Sequence, residues 1–144
     1  NFNMDALNPT SLIKSIFKNY PNLNLNINEG DYSILADQSA FLMILKNLLE
    51  NTLRHQPKVN EIEIKISETD HETVIQYDDK GEAFNGEIEK LGSLFYKHNS
   101  PKGSGIGLYL VKKIMLKLGG KLIIRNPKNL VFELHFKRGD HASN

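Results

Sequence analysis

Apolar positions along this chain recur with two periods. Ile13, Ile16, Phe17 and Tyr20 fall at helical spacing behind Asn8-Pro9, a pair suited to an N-cap and a first helical residue, and Pro21 ends the run. Leu23, Leu25 and Ile27 alternate with asparagines and predict a strand. Glu29-Gly30-Asp31 reads as a turn and Tyr32 to Ala36 as a short second strand. Asp37 is placed to cap a longer helix whose buried stripe is Phe41, Ile44, Leu45, Leu48 and Thr52, with Pro57 beyond its end. Ile62, Ile64 and Ile66 alternate with Glu61, Glu63 and Lys65. A turn at 68–71 then leads to a second arm, Val74 to Asp78, completing a hairpin. The last helix is predicted from about Ile106 to Leu118, with Leu110, Val111, Ile114 and Leu118 on one face and Gly119-Gly120 as its stop. Lys121 to Arg125 and Leu130 to Lys137 close the chain as a second hairpin, in which Leu130, Phe132, Leu134 and Phe136 alternate.

Each long helix has one apolar stripe and most strands have one apolar face. The economical arrangement is an α+β, two-layer sandwich: three helices on one face of a mixed, mostly antiparallel sheet of about five strands. Strict βαβ alternation is absent, which argues against a doubly wound parallel sheet. Residues 85–102 lack clear periodicity apart from a brief apolar patch at Leu91 to Tyr96, and contain Gly86, Gly92, Ser93, Asn99, Ser100 and Pro101, so they are expected to form a functional lid or a disordered stretch. The domain is expected to run over 1–138, with 139–144 as a frayed tail.

Composition narrows the class. With 144 residues, 40% hydrophobic content and a net charge of +1, a single folded domain is expected rather than a disordered chain. The near-neutral balance argues against a nucleic-acid binder. The absence of cysteine excludes disulfides and cysteine-ligated metals. No apolar run reaches the roughly 20 residues needed to span a bilayer, so no direct membrane contact is expected of this domain. The first residue is Asn1, not Met, and the chain is expected to be a piece of a longer protein.

Three segments carry candidate chemistry. Asn47, Asn51 and Arg54 are spaced i, i+4, i+7 and stack on one helix face, away from the apolar stripe. Two neutral carboxamides and a guanidinium in one row suit a hydrated Mg²⁺ and phosphate oxygens; the same row also suits a solvated helix face. Asparagine is a mediocre helix former, so two of them one turn apart ask for a reason. In Tyr77-Asp78-Asp79-Lys80-Gly81-Glu82-Ala83-Phe84 a strand ends in acid and is followed by glycine. An ionised carboxylate there can accept a hydrogen bond from an exocyclic amine such as that of adenine, although the fragment taken alone reads better as a strand-ending Asp/Gly turn. Gly103-Ser104-Gly105-Ile106-Gly107-Leu108 runs into a helix, whose first N–H groups attract anions. Its spacing fits neither a Walker A loop nor a dinucleotide fingerprint.

Taken in order, these segments resemble the ATP-binding catalytic domain of bacterial sensor histidine kinases, a branch of the Bergerat-fold ATPase superfamily. Leu45 to His55 is similar to the N box, Asp79-Lys80-Gly81-Glu82-Ala83 to the G1 box, Phe95-Tyr96-Lys97 to the end of the F box, and Gly103 to Leu108 to the G2 box. The resemblance implies ATP and Mg²⁺ as cofactors and transfer of the γ-phosphate to a histidine. It implies Asn51 as principal metal ligand with Asn47 beside it, Arg54 on phosphate and His55 flanking the nucleotide. Asp79 would sit on the adenine amine with Gly81, Ala83 and Phe84 around the ring. Gly103, Ser104, Gly105, Ile106, Gly107 and Leu108 would line the phosphate end, and Lys97 or Lys102 would neutralise γ-phosphate charge. The sequence departs from the family pattern at Ala83, Gly92 and Lys97, at Thr52, where alanine is usual, and between Asn126 and Leu130, where a Gly-x-Gly-Thr pattern is usual.

No histidine here stands in the His-Glu-x-x-Thr/Asn-Pro context of a phospho-acceptor; His71-Glu72 sits at a strand entrance and lacks the rest. The acceptor is therefore expected on a separate dimerisation domain, with a response regulator downstream and the whole in the cytoplasm beneath an inner-membrane sensor. A stand-alone serine kinase of the anti-sigma-factor type is the alternative. It is disfavoured by Asn47, where such proteins and the topoisomerase-type ATPases carry glutamate. A non-enzymatic nucleotide-binding module is the third reading.

Overall fold

A computed structural model describes residues 1–81, 106–125 and 129–139. The order of elements is β1 (Asp5–Leu7), α1 (Pro9–Phe17), β2 (Asn24–Ile27), β3 (Ile34–Ala36), α2 (Gln38–His55), β4 (Glu61–Glu68), β5 (Glu72–Asp78), α3 (Ile106–Lys117), β6 (Lys121–Arg125) and β7 (Val131–Lys137). The expected 85–102 lid and residues 140–144 lie outside the described residues.

Five strands form one sheet in the order β2-β4-β5-β7-β6; β2 and β4 run parallel and every other pair is antiparallel. Alternation dictates which face is covered. Ile62, Ile64 and Ile66 on β4, Ile75 and Tyr77 on β5, and Phe132, Leu134 and Phe136 on β7 are buried. They meet Ile13 and Phe17 of α1, Phe41, Ile44, Leu45, Leu48 and Leu49 of α2, and Val111 and Met115 of α3 in one core. Phe41 packs edge-on against Phe136 with ring centroids 5.5 Å apart. Three helices therefore cover a mixed five-stranded sheet, as the pattern predicts.

Local chemistry sets the ends of the helices. Asn8 Oδ1 accepts from the Ser11 N–H at 3.3 Å, with Pro9 as first helical residue. Asp37 Oδ1 accepts from the Ala40 N–H at 2.8 Å, and its other oxygen accepts from the Asn3 N–H at 2.8 Å. These backbone donors hold the Asp37 carboxyl below its ordinary range. α3 ends in a Schellman turn. The Gly119 N–H donates to Leu116 O at 3.1 Å and the Gly120 N–H to Met115 O at 2.9 Å, while Gly119 takes φ +84°, a conformation open to glycine.

The structure differs from the sequence reading in three places. β3 does not join the main sheet; it pairs antiparallel with β1, a strand too short to carry an alternation signal. Leu110 is 36% exposed, and the core face of α3 is instead Val111, Met115 and Leu118, because the helix is rotated to bring its first turn against α2. Gly139 donates to Ser33 O at 3.1 Å, so the chain is still tied down where fraying was expected to begin.

Candidate functional site

α2 carries two groups of side chains toward opposite ends of one prospective site. Along its middle, the Asn47 carboxamide is oriented by its own helix: Nδ2 donates to Met43 O at 2.8 Å, which leaves Oδ1 turned outward. That oxygen faces the first turn of α3. A methyl group built on Gly107 would lie 3.4 Å from Asn47 Oδ1 and 3.6 Å from Arg54 Nη2. Asn51, one turn on from Asn47, is only 8% exposed, and among the described residues its carboxamide makes no hydrogen bond. Arg54 makes no ion pair among the described residues. The asparagine–arginine row is thus only partly solvated: Asn51 is buried, and Asn47 and Arg54 are half-buried. It lies beside the first turn of α3, and the N-terminal end of a helix favours an anion.

The other group surrounds Asp79. Thr73, Ile75 and Tyr77 occupy successive inward positions of β5, and Asp79 continues that alternation one step past the strand end. Asp79 is 9% exposed. Oδ2 accepts from Thr52 Oγ1 at 2.9 Å and Oδ1 from the Gly81 N–H at 3.1 Å. Thr52 Oγ1 also lies 2.7 Å from the Tyr77 hydroxyl, and both residues are fully buried. Burial raises the Tyr77 phenol well above its ordinary pKa; the Thr52 hydrogen bond opposes this and the Asp79 charge adds to it. Tyr77 therefore stays protonated over the whole working range of pH.

The turn that follows is held from outside the pocket. Lys80 takes φ 59°, uncommon for a non-glycine residue. Its N–H donates to Asp78 Oδ1 at 2.8 Å, and its ammonium pairs with Glu63 at 3.0 Å, a hydrogen bond that raises the lysine pKa. Asn129 Nδ2 donates to the same Asp78 oxygen at 2.7 Å. A side chain on Gly81 would run into the Gln56 amide, so Gln56 closes over the glycine from the end of α2.

Asn47, Asn51, Arg54, Asp79, Gly81, Gly107 and Leu108 all lie in described elements or at their ends. His55 is the exposed last residue of α2, and Ile106 opens α3. Ala83, Phe84, Lys97, Lys102, Gly103, Ser104 and Gly105 lie outside the described residues. Thr52, Tyr77, Gln56 and Asn129 are additions. A polar residue inside the α2 stripe, and a hydroxyl at an inward position of β5, were the available signals for the first two.

Residues 36–140 match the family described as histidine kinase-, DNA gyrase B-, and HSP90-like ATPase. The chain belongs to that family. Sensor protein IrlS of Burkholderia pseudomallei (strain K96243) is 31% identical over 120 residues, covering 79% of this chain and 26% of that protein. Sensor protein BasS of Escherichia coli (strain K12) is 30% identical over 99 residues, covering 67% of this chain and 27% of its own length. The ATPase domain described here thus spans about a quarter of these curated relatives. Its fold is that of the catalytic domain of histidine kinase ThkA, with a TM-score of 0.79 at 22% identity, covering 95% of this chain and 99% of that one. The ATP binding domain of PrrB from Mycobacterium tuberculosis gives 0.75 at 16% identity, covering 96% and 99%. Among the described residues no helix is long and apolar enough to cross a membrane, and no group of three or more His, Cys, Asp or Glu is placed to hold a metal.

Proposed function

We propose that this ATPase domain binds ATP with Mg²⁺ and passes the γ-phosphate to a histidine on a separate dimerisation domain of a sensor histidine kinase. The observation that carries this reading is the meeting of α2 and α3: the Asn47 carboxamide oxygen and the Arg54 guanidinium, which makes no ion pair among the described residues, lie beside the first turn of α3, and the Asp79 carboxylate is held on the same α2 helix by Thr52.

In this assignment Asp79 accepts from the exocyclic amine of adenine, with Gly81, Ala83 and Phe84 near the ring and His55 at its flank. Arg54, Lys97 and Lys102 carry positive charge to the phosphates, and residues 103–108 line their path into α3. The donor set suits magnesium, which keeps several waters and takes few protein oxygens; Asn47 and Asn51 offer neutral, hard carboxamide oxygens. Held by Asn47 and Asn51, Mg²⁺ would supply positive charge against the charge of the transferring phosphoryl group. The imidazole of an acceptor histidine is its own nucleophile, so the domain needs chiefly to position and to stabilise charge. A neutral carboxamide at Asn47 fits that need; a serine hydroxyl requires a base that Asn47 cannot be. In the full protein the domain would act in the cytoplasm below an inner-membrane sensor and serve a response regulator.

The test is calorimetric titration with ATP, with and without Mg²⁺, followed by incubation with a dimerisation domain carrying the acceptor histidine. We expect Mg²⁺-dependent binding and acid-labile phosphate on the added domain. Acid-stable phosphate on serine would transfer the chain to the serine-kinase class, and absence of ATP binding would end the nucleotide reading.

A further inference from the structure

The hydroxyl pair behind Asp79 has a fixed direction. Thr52 Oγ1 has one proton and two neighbours, Asp79 Oδ2 at 2.9 Å and the Tyr77 hydroxyl at 2.7 Å. If Asp79 is ionised, Thr52 donates to it and Tyr77 donates to Thr52, so both protons are used in short hydrogen bonds. If Asp79 carried a proton and gave it to Thr52, the chain would reverse. Tyr77 would then have to donate onward, and the acceptor within reach is Leu48 O at 3.4 Å, a long and poor bond. The geometry selects the first direction. A second donor, the Gly81 N–H at 3.1 Å, holds the other carboxylate oxygen the same way. The hydroxyl pair lies out of water: Thr52 is 0% and Tyr77 1% exposed.

We propose that Thr52 is a positioning and specificity residue of the purine end. Resting on the nucleotide assignment above, this inference holds that Tyr77 and Thr52 fix Asp79 as an acceptor-only carboxylate in one orientation. Such a group binds a purine bearing an exocyclic amine and repels one bearing a carbonyl at the same place. A threonine here does what alanine at this position could not, since a methyl group supplies no donor. A site built to pair a specific polar group rejects the analogue lacking it far better than an apolar pocket does, because the mismatch leaves buried polar atoms unpaired.

The test compares ATP with inosine triphosphate, which carries a carbonyl in place of the amine, by calorimetry on the 144-residue chain. For Thr52→Val, which keeps the shape and removes the hydroxyl, we expect ATP affinity to fall about tenfold and the ATP-to-inosine-triphosphate ratio to shrink with it, in keeping with loss of a hydrogen bond to a charged group. Thr52→Ser keeps the donor and should restore the ratio to within about twofold of wild type. Tyr77→Phe frees Thr52 of its partner and should give a smaller loss, about threefold. Unchanged discrimination in a folded Thr52→Val protein overturns the inference. If that variant does not fold, Thr52→Ser and Tyr77→Phe decide it: equal discrimination in both also overturns it. Wild-type chain that binds neither nucleotide would instead sink the underlying assignment, so the two failures are distinct.

Discussion

The two ends of the site are built in opposite ways. At the proposed purine end the described groups are engaged in advance: both Asp79 oxygens have donors, Thr52 and Tyr77 are paired, and Gln56 lies against Gly81. At the proposed phosphate end the groups are positioned but have fewer partners among the described residues. Asn47 has one half of its amide spent on Met43 O and the other turned toward α3, while Asn51 and Arg54 have no side-chain partner among the described residues. On the proposed assignment the difference follows from what each end would meet. A neutral, planar base offers few hydrogen bonds, so its partner must be oriented beforehand and shielded from water. A hydrated cation and a polyphosphate bring their own charge and oxygens, so the protein needs only unspent donors and acceptors beside a helix N-terminus.

That contrast can be broken at either end, and the largest effect is expected at the open one. Asn51→Ala should leave the fold intact and reduce phosphotransfer to an added acceptor domain by about 100-fold or more, the scale of removing one preorganised polar group from a charge-building site. A radiolabel assay showing wild-type transfer would remove Asn51 from the metal assignment. Asp79→Asn exchanges an acceptor for a donor opposite the amine and should weaken ATP binding about 10- to 100-fold. Unchanged affinity by calorimetry would move the purine elsewhere. Arg54→Ala should cost about tenfold in ATP affinity, with the loss shrinking as salt rises, because its contact is to charge at a half-exposed site. A salt-independent loss would point to packing instead.

The smallest effect sharpens the contrast from outside the site. Asp37 caps α2, the helix that spans both ends, and its carboxyl is held low by the Ala40 and Asn3 N–H groups. A carboxylate with a depressed folded-state pKa stabilises the protein above its unfolded value, near 3.9, and that contribution disappears as pH falls through the folded value. Asp37→Ala should therefore melt earlier than wild type at neutral pH, and the two melting curves should converge below about pH 4. A gap that persists in acid would mean that the cap acts through shape rather than charge.

Much of this was legible in the sequence, for identifiable reasons. α2, the β4–β5 hairpin and the β6–β7 hairpin have long, unambiguous periods, and their caps and glycine stops are local chemistry. The row of Asn47, Asn51 and Arg54 was legible because spacing on a helix is geometry. β1 was not, since three residues carry no period; nor was the rotation of α3, because Leu110 and Met115 are equally apolar and only packing against α2 chooses between them.

The linear order of residues by itself determined which positions are apolar, where helices begin and end, and which residue types are available for an amine, a metal or a phosphate. Those follow from short-range sterics and hydrogen bonding. Only the tertiary structure decided that Thr52 turns from the α2 stripe to meet Asp79, which is 27 residues away in sequence, and that Gly107 arrives beside Asn47 and Arg54. Such contacts are set by the packing of a helix layer on a sheet, where register and rotation are fixed by the whole core and by no local stretch of chain.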